Sequence, residues 1–318
     1  MCVGIDPSCE LFKAWGLSLN SDRLSEFCSR EIEIGKGGSM DSLAGKIALV
    51  SGASRGIGKG IAIALAAGGV TVYITGRTET EFAGSVQLSG SIHSTAQLIQ
   101  SAGGTCIPLK CDHLVDAEVE AVFSLIKKDR GKLDVLVNNV WGGYEHFNDG
   151  SEFWTEKGFW DMPLPRWAKS FDAGVRAHFV SSCFATRMML EAGSGLIVNI
   201  SFWAADRTDK GVAYSAAKAA TNKMSECMAF ELRDKNVCVL TLYPGLVRTE
   251  AVMKAREHFD LSNSESPEFA GLVIGRLATD KQIMARSGSV LVVADLAKQY
   301  AIVDIDGKQP RPLRKEEA

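Results

Sequence analysis

From Lys46 onward the chain alternates short, near-continuously apolar runs with longer segments whose apolar residues recur at helical spacing. Seven runs read as strands: KIALVSG (46–52), VTVYIT (70–75), TCIPLK (105–110), LDVLVNN (133–139), GLIVNIS (195–201), VCVLTLYPG (237–245) and GSVLVVADLA (288–297). Between them, IGKGIAIALAAGG (57–69), STAQLIQSAGG (94–104), VDAEVEAVFSLIKKDRG (115–131), RWAKSFDAGVRAHFVSSCFATRMML (166–190), a helix through YSAAK to about Arg233, and SPEFAGLVIGRLAT (266–279) read as helices. Strands apolar at nearly every position are buried on both faces, which indicates a parallel sheet covered by helices on each side. Right-handed crossovers then give an α/β fold with a doubly wound, mostly parallel seven-stranded sheet in a single domain. Ligands of such sheets lie beyond the carboxyl ends of the strands.

Residues 1–39 stand apart from this alternation. Their opening, MCVGIDPSCELFKAWGL, resembles the start of an orotidine-phosphate decarboxylase but is far too short for that barrel. GKGGS then leads into Met40, so residues 1–39 are expected to be an N-terminal appendage or an expression leftover, and residues 40–318 the domain. Composition narrows the function classes. A formal charge of −3 with no basic block argues against a nucleic-acid partner. No apolar run approaches a membrane span. Eight cysteines show no paired CxxC spacing and several sit in apolar runs, as expected of reduced core thiols in a cytoplasmic protein with no metal site.

Two stretches carry chemistry. Tyr214 and Lys218 are four residues apart, which puts a phenol and an ammonium one turn apart on one helix face. The positive charge favours the phenolate, so the tyrosine can exchange a proton with a carbonyl or alcohol oxygen while another group moves a hydride. The second stretch is SGASRGIG, with Gly52, Gly56 and Gly58 spaced GxxxGxG between a strand and a helix. There Ser54, Arg55 and Ile57 complete a tight turn whose backbone N–H groups face a dinucleotide pyrophosphate at a helix N-terminus. At the end of the second strand Gly76 and Arg77 stand where an acidic residue would bind ribose hydroxyls. Arg77 and Arg55 together suit a 2′-phosphate, so NADP(H) is expected in preference to NAD(H).

SGASRGIG, Cys111-Asp112, Val137-Asn138-Asn139, YSAAK and Tyr243-Pro244-Gly245 together resemble the short-chain dehydrogenase/reductase family over roughly residues 42–310. CDHL, GVRAHF, YPGLVRTE and the tail QYAIVDIDGK resemble its dehydrogenase/reductase member one branch and related bacterial reductases. The resemblance implies a Rossmann-type fold and NAD(P)(H)-dependent oxidation and reduction. It also implies site roles: Asp112 at the adenine, Asn138 bracing the fourth strand, Lys218 at the nicotinamide ribose. Pro244, Gly245, Val247 and Thr249 would contact the cofactor's carboxamide or phosphates. A homodimer or homotetramer packed through the long helices is implied as well.

The departures from the family pattern are specific. NNAG is Asn138-Asn139-Val140-Trp141 here. Counting back thirteen residues from Tyr214 puts the catalytic serine at Ser201, whereas aligning the strand itself puts Phe202 there; Ser201 carries the only hydroxyl. The Asn that often completes a proton relay is replaced by Gly174, with His178 nearby as a shuttle or, more simply, a packed histidine. An insertion at 141–167 helps to place five of the six tryptophans between Trp141 and Trp203. These rings either wall a pocket for an apolar or aromatic carbonyl compound or pack the insertion down. Residues 251–266 form a second candidate lid. The expected activity is interconversion of a small-molecule carbonyl and a secondary or primary alcohol. The competing reading is a weakly catalytic NADP(H)-binding sensor or interaction protein.

Overall fold

The computed structural model describes residues 43–83, 88–143 and 158–317. The expectations for residues 1–39 and for the middle of the insertion, 144–157, lie outside the described residues. β1 (Ile47–Ser51) passes through the glycine turn into α1 (Gly56–Ala67), followed by β2 (Thr71–Gly76), α2 (Ile92–Ser101), β3 (Thr105–Lys110), α3 (Asp116–Arg130) and β4 (Val135–Asn138). Beyond the insertion, α4 (Pro165–Phe171), a π-helical turn (Asp172–Arg176) and α5 (Ala177–Ala192) are continuous and lead to β5 (Gly195–Ile200). Then come α6 (Val212–Leu232), β6 (Val237–Tyr243), α7 (Glu250–Lys254), α8 (Phe269–Leu277), β7 (Val290–Val292) and α9 (Val293–Gln299).

The seven strands lie in the order β3-β2-β1-β4-β5-β6-β7, and every neighbouring pair is parallel. The chain winds outward from β1 to one edge, then returns to β4 and winds to the other. The segments leaving β1 and β4 therefore part in opposite directions and open a crevice at the carboxyl end of the sheet. The pleat sorts the apolar residues into two cores. Ala48, Val50, Val135, Val137, Val198 and Leu240 face α1, α2, α8 and α9, whereas Ile47, Leu49, Leu136, Ile197 and Val239 face α3, α5 and α6. Burial on both faces is what the unbroken apolar runs required.

Local signals place the helix ends. Ser91 and Ser94 form a reciprocal capping box at the start of α2. α3 carries Asp116 and Glu118 in its first turn, Lys127, Lys128 and Arg130 in its last, and stops at Gly131 with φ +71°. One expected element differs. β7 keeps only three residues of GSVLVVADLA, because from Val293 the same run is helical and buries Val293, Ala294, Leu296 and Ala297. A short apolar run has no period of its own that separates strand from helix.

The position of α1, and with it the glycine turn, depends on close packing against α8 and the residues before it. A Cβ on Gly60 would overlap the Pro267 backbone and stand 2.5 Å from the Glu268 nitrogen, and one on Gly271 would lie 2.7 Å from the Ala64 Cβ. Gly60→Ala is therefore expected to destabilise the domain by about 1–3 kcal/mol despite its better helix propensity. Urea unfolding checks this; an unchanged or higher midpoint would contradict the packing described.

Candidate active site

Tyr214 and Lys218 lie in the first turns of α6, which starts after Gly211 with φ +83°. Lys218 is buried and Tyr214 half-buried, so the ammonium lies inside and the phenol closer to solvent. Ser201 directly follows β5: its N–H donates to the Leu242 carbonyl of β6 (2.9 Å), and its buried hydroxyl donates to the main-chain carbonyl of Lys218 (3.3 Å). Serine and lysine thus meet through the helix backbone. Phe202 follows in extended conformation, half-buried, and starts the 3-10 turn Trp203–Asp206.

Lys218 has an aromatic neighbour. Its Nζ is 4.2 Å from the centroid of the Trp141 ring and 5.7 Å from that of Tyr214. Trp141 meets Tyr214 edge-on with 5.3 Å between centroids. Burial pulls the Lys218 ammonium down to about 7 from the usual lysine range. Beneath the ring is Gly174, in the π-helical turn, where a Cβ would stand 2.6 Å from the indole Cε3. The other described tryptophans of this region have their own neighbours. Trp203 donates to the Leu313 carbonyl (2.9 Å) and packs edge-on against Tyr243, which binds the C-terminal tail to the domain. Trp167 stacks on Phe171, and Trp160 is exposed.

Behind the pair lies a buried polar ladder. Asn138 Nδ2 donates to Asn199 (2.8 Å) and Ser182 (3.0 Å), Asn199 Nδ2 donates to Ser225 (2.8 Å), and Thr241 donates to the same hydroxyl (2.8 Å). Asn138 therefore braces β4 against β5 and α5. His178 Nε2 donates to the Val140 carbonyl (2.9 Å), and burial holds the imidazole neutral, with its pKa lowered to about 3. This is the packed histidine of the simpler reading. His113 sits equally deep between Thr75 and Ser181, lowered to about 4 by burial.

The glycine turn suits a dinucleotide. Gly52 and Gly56 have φ +66° and +59°, and a Cβ on Gly58 would run into Asn139 and the Gly52 backbone. The Gly56 N–H at the start of α1 donates to the Glu250 carboxylate (2.8 Å), the kind of contact a phosphate oxygen would make there. Ser54 is buried behind the turn, Ile57 packs on the core, and Thr249 caps α7 with its methyl group towards Gly56. Val247 bridges to Glu265, whose carboxylate lies against Gly245 beside Pro244 and is pushed up to about 8 by burial. Arg77 stands at the end of β2, 4.0 Å from Asp112, which also caps its own turn at Leu114. Arg55 does not pair with it: its guanidinium donates to the Ser89 and Gly90 carbonyls (3.2 and 2.8 Å). The sequence pattern therefore missed Glu250, Glu265 and the task of Arg55. Only the acidic residue directly after Thr249 was a visible signal.

The two buried imidazoles set a pH limit. Below about 6.5 the unfolded chain takes up protons on both, whereas the folded chain resists until about 4 at His113 and about 3 at His178. The folded state binds fewer protons across that window, so stability falls as pH drops through it, by on the order of 3 kcal/mol from His113 at pH 4. Urea midpoints at pH 7, 5.5 and 4.5 should decline, and His113→Gln should flatten the decline.

Comparison with known proteins gives the family. Residues 46–260 match the short chain dehydrogenase family. The mouse protein "Dehydrogenase/reductase SDR family member 1" is 38% identical over 278 residues, 83% of this chain and 84% of its own. The 7alpha-hydroxysteroid dehydrogenase of Escherichia coli K12 is 30% identical over 211 residues, covering 66% of this chain and 74% of its own. Among solved structures, a 7α-hydroxysteroid dehydrogenase complexed with NADH and 7-oxo glycochenodeoxycholic acid superposes with a TM-score of 0.66 at 26% identity, over 86% of this chain and 99% of that one. The chain belongs to the short-chain dehydrogenase/reductase family of NAD(P)(H)-dependent oxidoreductases.

Proposed function

We propose that this oxidoreductase interconverts a carbonyl and an alcohol on an apolar or ring-bearing substrate, with NADP(H) as the preferred cofactor. The observation that carries the reading is the half-buried Tyr214 phenol one turn before the buried Lys218 ammonium, beside a glycine cradle that accepts an anion. When bound, the nicotinamide ring supplies or accepts the hydride. Tyr214 gives a proton to the carbonyl oxygen in reduction and takes one from the alcohol in oxidation. The Lys218 charge stabilises the phenolate that remains and holds the ribose hydroxyls. Ser201, once its hydroxyl turns from the Lys218 carbonyl, donates to the substrate oxygen. Asp112 reads the adenine, and Pro244, Gly245, Val247 and Thr249 bind the nicotinamide end.

Trp141 supports the apolar substrate, since its ring adjoins the Tyr214 edge. The relative named for a hydroxysteroid acts, by that name, on a ring-borne hydroxyl. Arg77, standing where an acidic residue would favour NAD(H), supports the 2′-phosphate, while Arg55 frames the loop beside it. Exposed Phe179 and Leu190 on α5 and Phe230 on α6 support a homodimer or homotetramer packed through these helices. The second reading, a cofactor-binding sensor with little turnover, draws on Gly174, which offers no side chain to continue a relay.

Purified protein assayed with NADPH and a panel of cyclic and aryl ketones tests the choice. Tyr214→Phe is expected to lower kcat by about 100-fold or more while leaving NADPH affinity within a few fold. Tight NADPH binding with no oxidation in either protein would favour the sensor. Arg77→Ala is expected to raise the KM for NADPH by about 10-fold or more, the loss of a charge-assisted contact, with the KM for NADH little changed. Equal changes for both cofactors would overturn the NADP(H) preference.

A further inference from the structure

The chain makes unusual room for Trp141. Gly174 is buried within the continuous run from α4 to α5, in a π-helical turn, and a Cβ there would press into the six-membered ring of the indole. A Cβ on Gly143 would stand 2.5 Å from the indole Cζ2. Glycine inside a helix costs about 1 kcal/mol relative to alanine, and π-turns are rare and poorly bonded. The space is kept at a cost in helix stability.

That space brings the face of the indole to an ammonium that has no carboxylate partner among the described residues. Lys218 makes no ion pair among the described residues, and burial alone accounts for its lowered proton affinity. The elements packed against α6 carry Arg166 and Lys169 on α4, Asp172 and Arg176 in the π-turn and Asp206 before the helix, and His178 on α5 lies near Lys218. Of these, only His178 couples to Lys218, and it is neutral. Arg176 is held by Asp116, and Asp206 accepts from Tyr243. A ring face within about 6 Å attracts a cation through its quadrupole, most strongly for tryptophan and where water is excluded. The Trp141 centroid, at 4.2 Å from Nζ, is well inside that range.

We propose that Trp141 is a positioning residue for the reaction: its indole face is the counter-group that holds the Lys218 ammonium charged beside Tyr214, and Gly174 stays without a side chain to admit it. The inference rests on the reading of Tyr214 and Lys218 as the reacting pair. Without the indole, Lys218 loses its proton at lower pH and the Tyr214 oxygen loses its electrostatic support. The damage falls on kcat rather than on substrate KM.

The test needs a readout that does not depend on turnover. In protein labelled with 13C at lysine Cε, the Lys218 resonance, assigned by its absence in Lys218→Met, is titrated by NMR. In Trp141→Leu its midpoint is expected to fall by about 0.5–1.5 pH units, the pH equivalent of one desolvated cation–π contact. Trp141→Phe, which keeps a ring face, should show a smaller shift, and Gly174→Ala, which displaces the indole from the other side, a shift of the same sign. The alkaline limb of the kcat profile should move with the midpoint, and substrate KM should stay within about twofold. A midpoint unmoved in Trp141→Leu and Gly174→Ala, with only the melting temperature lowered, overturns the proposal and leaves the indole as packing. If wild-type protein shows no turnover, the functional reading fails, and the titration still decides whether Trp141 holds the charge.

Discussion

An ammonium carried into a protein interior with no carboxylate to receive it is the constraint around which this site is arranged. Removing a charge from water costs several kcal/mol unless something nearby compensates, and the usual compensation is an ion pair. Lys218 has none among the described residues; it has two aromatic rings and the first turns of α6. On the proposed reading, an acidic partner would neutralise the charge at the point where the Tyr214 oxygen needs it. A ring face stabilises the cation and leaves its field pointing at the phenol. The same helix turn turns its Lys218 carbonyl to Ser201, so the three groups share one rigid piece of backbone across the ends of β5 and α6.

The segment after β6 is tied to both loops that frame the cofactor crevice. Glu250 places a carboxylate on the Gly56 amide, and Glu265 places one against Gly245. Gly245 has a carboxylate oxygen close to where a Cβ would stand, 2.7 Å away. Neither loop can therefore shift without moving residues 247–266. Glu265 is pushed up to about 8 by burial, so near neutrality it is largely protonated and braces the Tyr243-Pro244-Gly245 turn without bringing a charge to it. Glu250 differs in place: its carboxylate accepts from the Gly56 amide at the start of α1, the amide that a pyrophosphate would use. A bound pyrophosphate would compete with the Glu250 carboxylate for that one N–H, so Glu250 has to give way where the phosphates settle.

Much of this was legible in the chain. Strand count, parallel pairing and the placing of the glycine turn follow from unbroken apolar runs and from glycines with positive φ, which are local properties. Tyr214 and Lys218 follow from helical spacing. What was not legible depends on tertiary partners. VLVVADLA serves as strand and then helix because β6 pairs with only its first three apolar positions. Arg55 was grouped with Arg77 by charge, yet it is held by carbonyls at Ser89 and Gly90, in a segment whose path the sequence does not reveal. Trp203 was counted among rings that could wall a pocket, whereas a C-terminal tail more than a hundred residues away receives its N–H. No periodicity encodes such a contact.

The two departures from the family pattern, Trp141 for a glycine and Gly174 for an asparagine, look in the sequence like separate losses. In space they are one exchange. The indole and any side chain at 174 would occupy the same volume, so a tryptophan at 141 requires a glycine at 174. A site drifting without function would alter the two positions independently, and most combinations would clash or leave a cavity beside a buried cation. The observed combination sets an indole face beside the buried ammonium, which suits the proposed role of the Tyr214–Lys218 pair.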